Sequence, residues 1–134
     1  MVELLCVPPP QKAMIWPLVA DRLRASYLKT DLGHTADLER DVLHGDADLW
    51  LAVSDGKEIE AAAVTLLVRT DRHLVCQLTA LGGKNMAHWF GLLPKIEDWA
   101  RREGAAKVRI MGRIGWVCML EDYRVSAIVL ERAL

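Results

Sequence analysis

The chain has 134 residues, 52% hydrophobic and 26% charged, and its 17 Lys and Arg against 18 Asp and Glu leave a net charge of −1. That length suits one domain over 1–134, and that composition excludes a disordered chain. The longest apolar stretch, 61–68, contains Thr65 and is far short of the ~20 residues of a membrane span.

Residues 2–7 read as a short strand, broken by Glu3 and stopped by Pro8-Pro9-Pro10, too weak for a secretory signal. Over 13–28, Ile15, Leu18, Val19, Leu23 and Tyr27 recur at helical spacing, with Pro17 in the first turn or at a kink. A second helix is expected over 35–43, with Thr35 as N-cap and Gly45 as its stop. The period then becomes that of strands, over 49–53 and 59–69, joined by the hairpin signal Ser54-Asp55-Gly56-Lys57. A third strand of this antiparallel set covers 73–81 and ends at Gly82-Gly83. Helical spacing returns with Trp89, Leu93, Ile96 and Ala100 on one face and Gly104 as the stop. Pro94 requires that this helix kink near 90–93, or start late with Pro94 in its first turn. A strand over 107–111, a short helix over 113–121 and a last strand over 125–130 complete the order. The expected fold is α/β, a mixed but mostly antiparallel sheet of about six strands flanked by helices.

Three cysteines in apolar surroundings point to reduced thiols and a cytoplasmic setting. Residues 1–83 carry 8 Lys and Arg against 12 Asp and Glu (−4), and 84–134 carry 9 against 6 (+3). This is too weak a basic balance for nucleic-acid binding. It suits either a small polyanion held by the second half or a scattered solvated surface. His34, His44, His73 and His88 lack metal-ligand spacing, so no metal site is expected. His88 is either a phosphate ligand or base, or a solvated residue at a helix start.

A strand that feeds a helix through a glycine-containing loop makes an anion site, because unpaired N–H groups and the helix dipole face the bound charge. Gly82-Gly83 before the helix, Ile96-Glu97-Asp98-Trp99-Ala100-Arg101 near its end and Gly112-Arg113-Ile114-Gly115-Trp116 after the next strand carry a resemblance. In these strings and in its order of elements the chain resembles the GCN5-related N-acetyltransferase (GNAT) superfamily, most of all the small GNAT-like proteins of tailed bacteriophages and prophages. The resemblance implies a V-shaped opening between the fourth and fifth strands that takes acetyl-CoA or another acyl-CoA. Leu81, Gly82, Gly83, Lys84, Asn85, Ala87 and Arg113 would then hold the cofactor, with the pyrophosphate on 83–87. Ungapped matching to the family loop puts Trp89 at a position the family fills with a small residue.

Matching the family's acid motif puts Cys118 at the usual tyrosine position. Cys118 is either a thiol acid toward the leaving thiolate or a small buried hydrophobe. Tyr123, just after it, is either an acid or a core or rim aromatic. Glu60 is either the carboxylate that activates a water against the amine or a solvent-facing strand carboxylate. Arg113 and Trp116 suit an anion grip, a cation–π pair or helix-start packing. Two functions stay open. One is an acyl-CoA-dependent N-acyltransferase acting on a small amine or a protein amine. The other is a catalytically inactive phage or prophage module with a phage protein as partner, and homodimerisation is open in either case.

Overall fold

In a computed structural model of the protein, residues 2–84, 90–112 and 114–134 are described. Five strands, β1 (Glu3–Cys6), β2 (Asp48–Val53), β3 (Ile59–Arg69), β4 (Leu74–Gly83) and β5 (Lys107–Ile110), form one sheet in sequence order. The pairs β1–β2, β2–β3 and β3–β4 are antiparallel, and β4–β5 is parallel. Helix α1 (Lys12–Thr30) and helix α2 (Thr35–Leu43) precede β2, and helix α3 (Leu93–Arg102) crosses over between β4 and β5. None of the described helices is long and apolar enough to cross a membrane.

Strand alternation sorts the apolar side chains into two cores, one on each face of the sheet. Leu49, Leu51, Ala62 and Val64 meet Trp16, Val19 and Leu23 of α1 and Leu38 and Val42 of α2. Trp50, Ala52, Ala61 and Ala63 face the opposite way and meet Leu93, Ile96 and Ala100 of α3. With both faces covered, β3 reads as the unbroken apolar run 61–64, whose alanines let helices approach closely. The one buried hydroxyl in this strand, Thr65, accepts from Trp50 Nε1 at 2.9 Å. Glu39 ties the two N-terminal helices together, accepting from Trp16 Nε1 at 2.8 Å and Arg24 Nη2 at 3.1 Å.

Several expectations change. The strand expected over 125–130 does not form, so the sheet has five strands. Its periodicity reports a capacity to pair that the segment does not use, although the outer edge of β5 is open. The expected helix over 113–121 is a single 3-10 turn, Ile114–Cys118. His34 caps α2 in place of Thr35, its Nδ1 accepting from the Ala36 amide at 3.0 Å. Pro17 lies inside α1, in its second turn, and supplies no N–H to the Ala13 carbonyl. Pro94 sits in the first turn of α3, where a missing N–H costs nothing, so this helix starts late.

Candidate functional site

Strand β4 runs on beyond the end of its parallel partner. Val75–Leu78 pair with Lys107–Ile110, and past Ile110 the chain leaves the sheet through Met111 and Gly112. Residues 79–83 therefore keep β3 on one side and lose β5 on the other. The two strands open a cleft of about 770 Å³, walled by 78–84 of β4 and its exit, by α1, and by Phe90, Met111, Trp116 and Met119. This volume is within the usual range for small-molecule sites.

The backbone of β4 is shaped for that cleft. Val64 is opposite Ala80 and Thr65 is opposite Leu78, which leaves Thr79 as an extra residue, a β-bulge. Leu78 and Ala80 would share a face in a regular strand, yet Leu78 packs on the α3 side and Ala80 on the α1 side. Thr79 Oγ1 fixes the bulge by donating to the Val64 carbonyl at 3.1 Å. Beyond it, the Lys84 amide bonds to the Glu60 carbonyl at 2.7 Å. In an antiparallel ladder such bonded residues alternate with ones whose N–H and C=O point outward. The pairing Ala61↔Gly83 and Ala63↔Leu81 thus turns the peptide groups of Leu81 and Gly83 away from β3, toward the cleft side. Ser26 of α1 donates to the Leu81 carbonyl, which confirms that direction and leaves the Leu81 N–H facing the cleft.

Gly82 and Gly83 are the last two residues of β4, paired with Ala62 and Ala61, and packing explains both. A Cβ on Gly82 would stand 2.4 Å from the Arg22 carbonyl, so glycine is what lets α1 lie against the strand. Gly83 has φ +152°, and a Cβ there would stand 2.3 Å from the Glu60 carbonyl.

Leu81, Gly82, Gly83 and Lys84 all line the cleft. Lys84 carries its ammonium 3.9 Å from Glu58 Oε1, and both side chains are largely exposed. Asn85, Ala87 and Arg113, together with His88 and Trp89, lie outside the described residues. Glu60 sits at a bulge of β3, where Ala52 is opposite Ala61 and Val53 is opposite Ile59, and it is not among the residues lining the cleft. Cys118 is exposed at the end of the 3-10 turn and also lies off the cleft, which overturns the buried-hydrophobe alternative. Tyr123 packs partly buried against the α3 side and donates to Glu97 Oε2 at 2.6 Å. Burial, then the hydrogen bond to Glu97 and its charge, push the Tyr123 phenol well above the usual tyrosine range.

Other cleft residues carry no local sequence signal. Ser26, Thr79, Met111 and Met119 meet only because two strands diverge. Trp116, singled out from the Gly-Arg-Ile-Gly-Trp string, spans the far wall, edge-on to Phe90 with ring centroids 5.9 Å apart. Gly112 makes room for that indole, since a Cβ there would stand 2.4 Å from Trp116 Cε3. Tyr27 also lines the cleft, but its hydroxyl packs against Gly33 in the α1–α2 turn. Burial, and then Asp37 and Asp41, raise its pKa. No Asp, Glu or His occurs among the described lining residues, whereas Arg22, Lys29 and Lys84 do.

This five-stranded sheet, opened between a bulged fourth strand and a parallel fifth, is the GNAT fold, and comparison with solved structures agrees. A Pyrococcus furiosus protein provisionally assigned to the acetyl transferases superposes with a TM-score of 0.68 at 20% identity, covering 98% of this chain and 100% of that one. An aminoglycoside acetyltransferase from an uncultured soil metagenomic sample gives 0.69 at 12% identity over 100% and 97% of the two chains. A predicted acetyltransferase of Clostridium acetobutylicum, solved with acetyl-CoA, gives 0.67 at 10% identity over 99% and 96%. No protein-family model matches the sequence, and no curated protein matches it.

Proposed function

We propose that the cleft between β4 and β5 binds an acyl-CoA and that the protein is an N-acyltransferase. The observation that carries this reading is the free edge of 79–83, with the Leu81 N–H turned into a cleft of about 770 Å³. An extended chain of amides, such as a pantetheine arm, can bond to that edge as an added strand would. The related fold solved with acetyl-CoA supports the same ligand class. When bound, acetyl-CoA supplies the activated acyl thioester.

The chain's own residues do the rest. The Leu81 and Gly83 peptide groups orient the arm, Lys84 offers a cation at its phosphate end, and Phe90 and Trp116 exclude water from the far wall. Holding the two reactants side by side is a large part of such a catalysis, since attack by an amine on a thioester is already downhill once oriented. The acceptor is a neutral or anionic amine. A lining with Arg22, Lys29 and Lys84 and without a described carboxylate repels a polycation.

The test is thiol release from acetyl-CoA over a panel of amines. Release with neutral or anionic amines, and none with aminoglycosides, is expected. Preferred turnover of aminoglycosides would contradict the acceptor class, and no binding of any acyl-CoA would contradict the reading itself. One observation favours a second reading, a GNAT-fold module without turnover: neither Cys118 nor Tyr123 lines the cleft. Acyl-CoA binding without thiol release on any amine would select it, and in a phage setting such a module would serve assembly.

A further inference from the structure

A smaller cavity of about 60 Å³ adjoins the cleft, lined by Tyr27, Thr30, Leu32, Gln77, Thr79 and Met111. Tyr27, Thr30, Thr79 and Met111 line both spaces, so the two meet at the cleft floor, where β5 leaves β4. The smaller one admits a group of a few heavy atoms. Gln77 is on the α1 side of the sheet, because its neighbours Cys76 and Leu78 pack on the α3 side. Arg109 is its register partner on β5, and there Val108 and Ile110 pack on the α3 side. Gln77 and Arg109 therefore stand side by side on one face, on strands ~4.8 Å apart.

Both are half-buried, and neither makes a hydrogen bond or ion pair among the described residues. A guanidinium partly withdrawn from water gains most from a planar anion that takes two of its N–H groups, and a carboxylate is one. No described Asp or Glu lines either cavity, which leaves that anion to a ligand. We propose that Arg109 and Gln77 form a carboxylate site and that the acceptor is an amino acid or another small amino carboxylate. The acceptor role rests on the acyltransferase reading above. Arg109 grips the carboxylate, the Gln77 carboxamide donates beside it, and the amine lies toward Thr79 at the cleft floor. Gln77 and Thr79 are ~7 Å apart along the strand, a span that a small amino carboxylate covers with its hydrogen bond included. The amine nitrogen bonds to the acyl carbon as the carbon–sulfur bond breaks, and the proton it loses goes to the departing thiolate. The products are the CoA thiol and an N-acylamino acid.

Titration calorimetry with N-acetylglycine and N-acetylalanine, each against its primary amide, reads the site without turnover. The acids are expected to bind at least tenfold more tightly than the amides, the worth of a hydrogen-bonded charge pair. Arg109→Met should abolish that difference and Arg109→Lys should keep part of it. Circular dichroism should not change, because Arg109 lies outside both cores. In the thiol-release assay, glycine and alanine should be preferred to their amides. Arg109→Met should raise KM for the amino acid about tenfold or more, with kcat and the KM for acetyl-CoA little changed. The amide's amine is the less basic and the more abundant as free base, so a preference for the acid reports the carboxylate contact. Equal binding of acids and amides, or a preference that survives Arg109→Met, overturns the proposal. Acid-selective binding lost in Arg109→Met, without thiol release on any amine, would support the carboxylate site and overturn the acyltransferase reading alone.

Discussion

Tyr123 shows how a catalytic-looking residue can be structural. Its hydroxyl is committed to Glu97, and the two together hold residues 120–123 against α3. Tyr123→Phe should cost about 1–2 kcal/mol, the worth of a hydrogen bond to a charged acceptor in a partly buried place, as read by denaturant melts. Acetyl-CoA affinity should not change. Because the folded-state pKa is raised above the ordinary value of 10.0, the phenol's contribution is intact below that pH. It is lost as pH rises beyond it, so wild type should show an alkaline loss of stability that the phenylalanine variant lacks. Cysteine reactivity gives a second check at this scale. Burial and then Asp48 push the Cys76 thiol up to about 11, so iodoacetamide at pH 8 should label exposed Cys6 and Cys118 and spare Cys76 until unfolding.

Among the elements, α2 and β3 fall where their periodicity places them, at Thr35–Leu43 and Ile59–Arg69. Unbroken local patterns of one period carry that information. The bulge at Thr79 was not legible, because its sign is that Leu78 and Ala80 face opposite ways, and this needs the two helices they face. The cleft was legible as a place, at Gly82-Gly83 and Lys84, but the resemblance suggested a ligand role for glycines that the packing of α1 also requires. Cleft residues such as Ser26 and Met111 are 85 positions apart in the chain and only tertiary structure joins them. Gly82→Ala tests the packing role. The added methyl must push α1 off β4, at about 1–3 kcal/mol for overpacking. It should weaken ligand binding as well, because Ser26 and the Leu81 carbonyl separate with the helix. A variant of full stability would show that α1 does not rest on this strand.

For the whole molecule, a sheet that opens between its fourth and fifth strands accounts for the five-strand order, the bulge and the aromatic far wall together. The missing sixth strand is the one large difference from the order read in the sequence, and the unpaired segment 125–130 remains as its trace. The central claim is that the free edge of β4 holds an acyl-CoA, and thermal unfolding with added acetyl-CoA tests it most directly. A ligand present at ~20 times its dissociation constant stabilises the native state by about 1.8 kcal/mol. For a chain of this size, a saturable rise in melting temperature of about 4–8 °C is therefore predicted. No rise at millimolar acetyl-CoA or any other common acyl-CoA would contradict the account.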